Sequence, residues 1–477
     1  MDIMKKTKNS LVILPIVVML TACAGNTGNT EQQAEQETTA EVLPIVEQIV
    51  ITEEETTETT EEIATPTDTV MIPEQDGTEV VMINQLGHRP EDQKLVVVRT
   101  DVETEFSVIN SVTGSSVYDG QLMDIASGSD IAGKLKVGTF TAVTDEGSYY
   151  ISSGVGDSGT FRIGEDVYQK LYEDMLTSTE QDTDKPDSDL LMDDYLISQS
   201  KELSDLLIIY ESGKEDGAVK DEILKRLDRL MEYSEDEVVY GENDISKRAI
   251  FSYAACLIRG AEDFKDVEGV SVDSYRERAV KVWESINNIE SLGYISDNAD
   301  YREAAYYAAV EFYKAGEIGG GELADMDVSK LAGGLSTEDL SGYGMFSLID
   351  SEEGTEVSEK ARKRLEEITK EKTEIAEWDY LSPTFYGGQE LPKPETVSEQ
   401  GMFFFLAEKV SDDERIPVLA KRQLDYLLGE NDEGICYIKK YGYHTVSEET
   451  VGTRNTSLLY ILSRIVSEES NSEETEE

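Results

Sequence analysis

Carboxyl groups are the chemistry this chain holds in quantity, with 100 Asp and Glu against 42 Lys and Arg for a formal net charge of −58. Paired carboxyls can do general acid–base work, one protonated to deliver a proton and one ionised to activate water. Asp184-Lys185-Pro186-Asp187 brings two carboxyls close together in sequence, but among 100 acids a pair of this kind arises easily by chance. Histidine occurs only at His88 and His444, which excludes a His-rich zinc site and argues against a Ser-His-Asp triad. The 24 Tyr offer aromatic faces that can stack on sugar rings, although helix packing is the ordinary use of any one of them. The charge excludes nucleic acid as an expected partner, because phosphates would meet a repulsive field and no basic stripe.

The elements around these residues change character along the chain. Residues 1–23 read as a secretory signal: Lys5, Lys6 and Lys8 precede an apolar run, Leu11 to Leu20, that is too short to span a bilayer. The run ends in Leu20-Thr21-Ala22-Cys23, similar to a bacterial lipobox. That likeness implies cleavage and lipid modification of Cys23, with an ordinary signal and an incidental Cys as the alternative. The expected location is the outer face of the bacterial cytoplasmic membrane or cell surface, with Cys23 as the only membrane contact. Residues 24–77 contain no Lys or Arg and are rich in Thr and Glu, so self-repulsion predicts an extended, disordered tether. Residues 467–477 form a second acidic tail. Cys256 and Cys436 could in arithmetic form one disulfide, but Tyr253-Ala254-Ala255-Cys256-Leu257-Ile258 reads as a buried helix face, where a thiol serves as a small hydrophobe.

Between tether and tail two patterns follow one another. Over 78–164, short apolar runs alternate with turn residues: Leu95-Val96-Val97-Val98, Glu105 to Asn110 with period two, a turn at Thr113-Gly114, then Phe140 to Val143, Gly147 to Ile151 and Gly159 to Ile163. About seven strands in this space predict a β-sandwich. Over 165–466 the period becomes helical, with stripes such as Leu203, Leu206, Leu207 and Tyr210, or Ile223, Leu224, Leu227 and Leu230. Further helices are expected at 249–264, 275–286, 301–314, 359–370, 400–409, 417–428 and 456–466. The fold class is therefore multidomain β plus α, a sandwich followed by an all-α domain, arranged either as a solenoid or as a closed toroid.

Several segments resemble one family. Ile83-Asn84-Gln85-Leu86-Gly87-His88-Arg89-Pro90, followed by Lys94, is similar to the opening of the Ig-like domain that precedes many family 9 glycoside hydrolases, N-Q-[VL]-G-Y-x-P. His88 stands where that family usually has Tyr, and reads as a loop residue capping the sandwich. Ala420 to Asn431 resembles the family's A-x-x-Q-[LI]-D-Y-[IL]-L-G-x-N-P, with Asp432 in place of the Pro. Tyr301 to Glu317 resembles its A-A-x-E-L-Y-x-A-T-G helix, and Phe385-Tyr386-Gly387-Gly388 its W-G-S-N segment. The resemblance implies an (α/α)6 toroid that acts on β-1,4-glucans or other plant polysaccharide by inversion.

Inversion needs two carboxyl groups about 6.5–9.5 Å apart. In the family the base lies in G-G-W-x-D-A-G-D and the acid in N-E-x-x-x-D-Y-N-A. Asn455-Thr456-Ser457-Leu458 fits the end of the second motif, and six residues earlier stands Glu449, the candidate general acid. Glu448, Thr453 and Arg454 replace the motif's Asn, Asp and Tyr. An ungapped alignment places D-A-G-D on Ser188-Asp189-Leu190-Leu191, leaving Asp189, or with a shift of three residues Asp194, as candidate base. No Gly-Gly-Trp occurs, and the family's H-H-R substrate loop is reduced to His444, with Tyr386 the other candidate sugar contact. Calcium is common in the family, but no ligand set carries over and no metal or cofactor is assigned. The expectation is a divergent toroid in which glycan binding or an accessory role outlives catalysis. The alternatives are an active endo-β-1,4-glucanase using Glu449, or a structural surface protein.

Overall fold

The computed structural model describes residues 80–124, 135–179, 192–212, 217–233, 238, 245–287, 298–351, 354–378, 393–431, 433–438, 440–443 and 455–473. Its strands are Val81–Met82 (β1), Gly87–His88 (β2), Leu95–Arg99 (β3), Glu105–Asn110 (β4), Ser116–Gln121 (β5), Met123–Asp124 (β6), Leu135–Thr139 (β7), Gly147–Ser153 (β8), Gly156–Asp157 (β9) and Phe161–Ile163 (β10). One sheet runs β1-β3-β7-β6 and the other β2-β10-β8-β4-β5, with β9 on β8. Pairing is antiparallel except between β10 and β2.

Side-chain alternation explains the packing. Phe106 and Val108 of β4, Tyr149 and Ile151 of β8, and Val96 and Val98 of β3 point between the sheets into one core. Leu95 and Val97 point the other way, into a second apolar cluster with Met82, Leu135 and Val137. Burial on both faces is why this strand reads as a continuous apolar run. The expected strand at Phe140 to Val143 is instead a turn, closed by Val143 N–H donating to the Phe140 carbonyl at 2.9 Å. Both side chains belong to the core, and that burial imitated a strand pattern.

The described helices are Gln169–Thr179 (α1), Met192–Glu211 (α2), Gly217–Met231 (α3), Lys247–Asp263 (α4), Val272–Asn287 (α5), Arg302–Lys314 (α6), Gly320–Ala324 (α7), Ser341–Ser351 (α8), Glu356–Trp378 (α9), Pro394–Ala407 (α10), Arg415–Leu427 (α11) and Thr456–Glu473 (α12). The six even-numbered ones make an inner ring. Every residue from Ala249 to Ala261 of α4 and from Ser341 to Ile349 of α8 is buried, and a helix apolar on all sides has to lie inside. In contrast α3 shows a single buried stripe, Val219, Ile223, Leu227 and Leu230, as suits an outer helix. Contacts run α2 to α4, α6 and α8, then α10 to α12 and back to α2. Phe346 of α8 meets Phe403 of α10 edge-on at 5.7 Å, which closes the ring. The arrangement is the toroid, not the solenoid.

Helix α8 has no counterpart among the expected helices. Gly342 and Gly344 lower its helix propensity. The structure gives the reason for one of them: a Cβ on Gly344 would sit 3.0 Å from the Tyr307 backbone of α6. Two inner helices touch there, and only hydrogen fits.

The two domains meet through the segments that carried the family resemblance. Asn84 donates to Asp425 at 2.7 Å and to the Tyr168 hydroxyl at 3.1 Å. Lys421 donates to Asp425 at 2.7 Å and to Tyr168 at 3.0 Å, and Gln85 N–H reaches the Leu428 carbonyl at 2.9 Å. His88 lies in β2, not in a capping loop, fully buried and edge-on to Phe140 and Phe161. Burial first, and the Lys421 charge second, hold its pKa well below 6.5, so it is neutral packing at this joint. Cys256 and Cys436 are both free and buried, and burial raises their thiols to about 11 and about 12. They are core residues.

Candidate functional site

The start of α12, the first turns of α10, the segment before α8 and the middle of α2 surround a cavity of about 340 Å³. Its wall is polar throughout: Ser198, Lys201 and Glu202 from α2, Thr337 and Glu338 before α8, Lys393, Glu395, Thr396 and Glu399 from α10, and Asn455 and Thr456 at α12. Among the described residues no tyrosine lines it, and the buried Tyr168, Tyr253, Tyr306, Tyr307 and Tyr343 pack helices.

Beneath the cavity lies Asp205, with no exposed surface. One carboxylate oxygen accepts from Lys201 at 2.7 Å, Thr456 at 2.7 Å and Ser457 at 2.9 Å. The other accepts from the Tyr343 hydroxyl at 2.5 Å. Lys201 also donates to Ser457 at 2.5 Å. Burial pulls the Lys201 pKa down, but Asp205 and Glu399 outweigh it and leave it raised. A buried charge pair survives only with its remaining lone pairs and protons engaged, and here they are. Asp205 is thus a fastening that ties α2, α8 and α12 together, with both of its oxygens engaged.

Glu399 is different. Its carboxyl lies 3.9 Å from the Lys201 ammonium, with side chain 18% exposed. Burial raises its pKa; Lys201 opposes this, while Asp205, Glu338 and Glu395 add to it, and the result is about 7. It is a carboxyl able to hold a proton near neutrality and facing the cavity. Neither Asp205 nor Glu399 stood out in the sequence. The signal was there, since Asp205 sits inside the mostly apolar run Leu203 to Ile209 with Lys201 one turn before it at i−4, where charge is kept by burial in a pair.

Of the expected site residues, Asp194 is described: it stands exposed in the first turn of α2, one turn before Ser198. Asp193 beside it accepts from Ser246 N–H at 2.6 Å, ahead of α4. Asn455, the end of the expected acid motif, lines the cavity. Cys23, Asp189, Tyr386, His444 and Glu449 lie outside the described residues. Among the described residues no group of three or more His, Cys, Asp or Glu could hold a metal ion, and no helix is long and apolar enough to cross a membrane.

Comparison with known proteins places this geometry. Residues 76–158 match the cellulase N-terminal ig-like domain. No curated protein sequence matches the chain. Among solved structures, AaCel9A in complex with cellobiose-like isofagomine is 15% identical, with a TM-score of 0.63 over 82% of this chain and 100% of that one. A metagenome-derived glycoside hydrolase family 9 endoglucanase is 16% identical, with a TM-score of 0.65 over 81% and 99%. A family 9 glycoside hydrolase from Bacteroides ovatus is 15% identical, with a TM-score of 0.60 over 81% and 98%. The chain carries a cellulase N-terminal Ig-like domain joined to a helical domain, and together they have the fold of the family 9 endoglucanases.

Proposed function

We propose that this chain is an exported, lipid-anchored glycan-binding protein, in which the endoglucanase fold offers its polar cavity to a β-1,4-glucan or related plant polysaccharide. The observation that carries the reading is the cavity itself. Its size lies near the lower end of ligand sites, about 300–1,000 Å³, and its wall of hydroxyl, amide, ammonium and carboxyl groups can pair with sugar hydroxyls as donor and acceptor. Hydrolysis is lost or much reduced in this reading, because the G-G-W-x-D-A-G-D base motif is missing and Asp205 is fully buried with both oxygens hydrogen-bonded. Loss of a general base or acid removes a factor of about 10²–10⁴ in rate. Isothermal titration with cello-oligosaccharides, beside a reducing-sugar assay on cellulose and mixed-linkage glucan, tests it: binding without release supports the proposal. Neither binding nor release would favour a structural surface protein.

One observation favours a second reading, inverting hydrolysis with Glu449 as general acid: Asn455, six residues after Glu449, forms part of the cavity wall. Reducing-sugar release that vanishes in Glu449→Gln would establish it. The anchor is tested by detergent-phase partitioning of the expressed precursor, which should be lost in Cys23→Ala.

A further inference from the structure

We propose that Glu399 decides which sugar the cavity accepts: an uncharged glucan unit, hydrogen-bonded by the Glu399 carboxyl, in preference to a uronate. The inference rests on the reading of the cavity as a glycan site and names its selectivity.

The geometry isolates this carboxyl. Among the described residues the nearest cation, Lys201, stands 3.9 Å away and gives its hydrogen bonds to Asp205 and Ser457. No hydrogen bond among the described residues engages the Glu399 side chain, although it faces the cavity and is mostly buried. A buried carboxyl left in this state is stabilised by a ligand that supplies the missing partner. A sugar hydroxyl can do so as donor to the carboxylate or acceptor from the carboxylic acid, and a ring oxygen as acceptor from the acid.

The surrounding charges set the sign of the selectivity. From α2, Glu399 faces the Lys201–Asp205 pair, with Glu202 beside it already ion-paired to Arg226 at 2.5 Å. The segment leading into α8 brings Glu338 and Asp339, and α8 itself the Tyr343 hydroxyl. Helix α9 contributes Lys372, whose ammonium is bound to Gln400 at 3.0 Å. The first turn of α10 adds Glu395, and Lys393 stands at the exposed rim. Among the described residues carboxylates outnumber the cations that remain uncommitted, so a uronate would bring like charge to like charge. A neutral ring brings none.

A pH dependence follows. Glu399 titrates near pH 7 in the unliganded protein. A sugar laid over it removes its remaining exposure and raises that pKa further, so binding takes up a proton. Affinity is then constant below pH 7 and falls above it, by about tenfold for each unit of added shift.

The test is calorimetric titration of the mature chain with cellotetraose and with tetragalacturonate at pH 6, 7.5 and 9. The expected result is cellotetraose binding that weakens about tenfold from pH 6 to 9, with tetragalacturonate at least about tenfold weaker at every pH. In Glu399→Gln, an isostere that cannot ionise, cellotetraose should bind with a flat pH profile and the gap between the sugars should narrow. Should that variant fold poorly, the double change Glu338→Gln/Glu395→Gln should move the midpoint of the profile to lower pH. A flat wild-type profile, or an unchanged profile and preference in Glu399→Gln, would overturn the role of Glu399 while leaving the glycan reading intact. Failure of both sugars to bind at any pH would overturn the glycan reading itself, and this inference with it.

Discussion

Asp205→Ala should cost the helical domain about 3–5 kcal/mol, the usual consequence of removing one partner from a buried ion pair. Asp205 is fully buried and accepts four hydrogen bonds, from Lys201, Tyr343, Thr456 and Ser457. Without it the Lys201 ammonium, 9% exposed, keeps the neutral Ser457 hydroxyl at 2.5 Å and, of the carboxylates it pairs with, only Glu399 at 3.9 Å. Against a total stability of about 5–15 kcal/mol this is a large fraction. The double change Lys201→Met/Asp205→Leu removes the charge together with its partner and should regain most of the loss. Urea unfolding followed by tryptophan fluorescence reports on the correct domain, since Trp283 and Trp378 both lie in the toroid. Trp283 is buried and stacked on Phe312 at 4.5 Å. At an m value of about 3 kcal/mol/M the single variant should lose about 1–2 M in midpoint. A loss below about 0.3 M at that m value, or a double variant as unstable as the single one, would refute the assignment of Asp205 as the fastening of the ring.

Three further outcomes concern the joint between the domains. Asn84→Ala removes the bonds to Asp425 and Tyr168 and should cost about 1–3 kcal/mol; faster limited proteolysis between β10 and α1 is the readout. His88 has a folded pKa held below 6.5, so its contribution is present above pH 6.5 and lost as pH falls below it. His88→Phe should therefore flatten the decline in melting temperature between about pH 6.5 and 5, as scanning calorimetry would show. Gly429 has φ 117° and its Cβ would lie 2.6 Å from the Gln85 amide nitrogen. Gly429→Ala should destabilise by about 1–3 kcal/mol in a denaturant titration, and no change there would mean the joint can shift.

The sandwich was legible in the sequence because each strand has one wet and one dry face, or two dry ones as in Leu95-Val96-Val97-Val98. The toroid was legible in outer helices such as α3, whose stripe repeats at 3.6 residues, and in five of its six inner helices. The inner helix α8 was hidden by its glycines, one of which, Gly344, lets it approach α6. The family-like segments Ile83 to Pro90 and Ala420 to Asn431 turned out to bond to each other, so what they record is the domain joint, not the reaction. Lys201, Asp205 and Glu399 went unnoticed because 100 acids make any one carboxylate ordinary until burial singles it out. The sequence alone does not reveal burial, and Arg259, fully buried against Glu211 at 2.8 Å, was missed for the same reason.

The most direct test is titration of cellotetraose into the mature wild-type chain and into Ser198→Trp, which fills the cavity from α2. The account predicts saturable binding at one site in the wild type, loss of binding in the variant with an unchanged melting temperature, and no release of reducing sugar. Absence of binding, or binding that Ser198→Trp leaves intact, would contradict it.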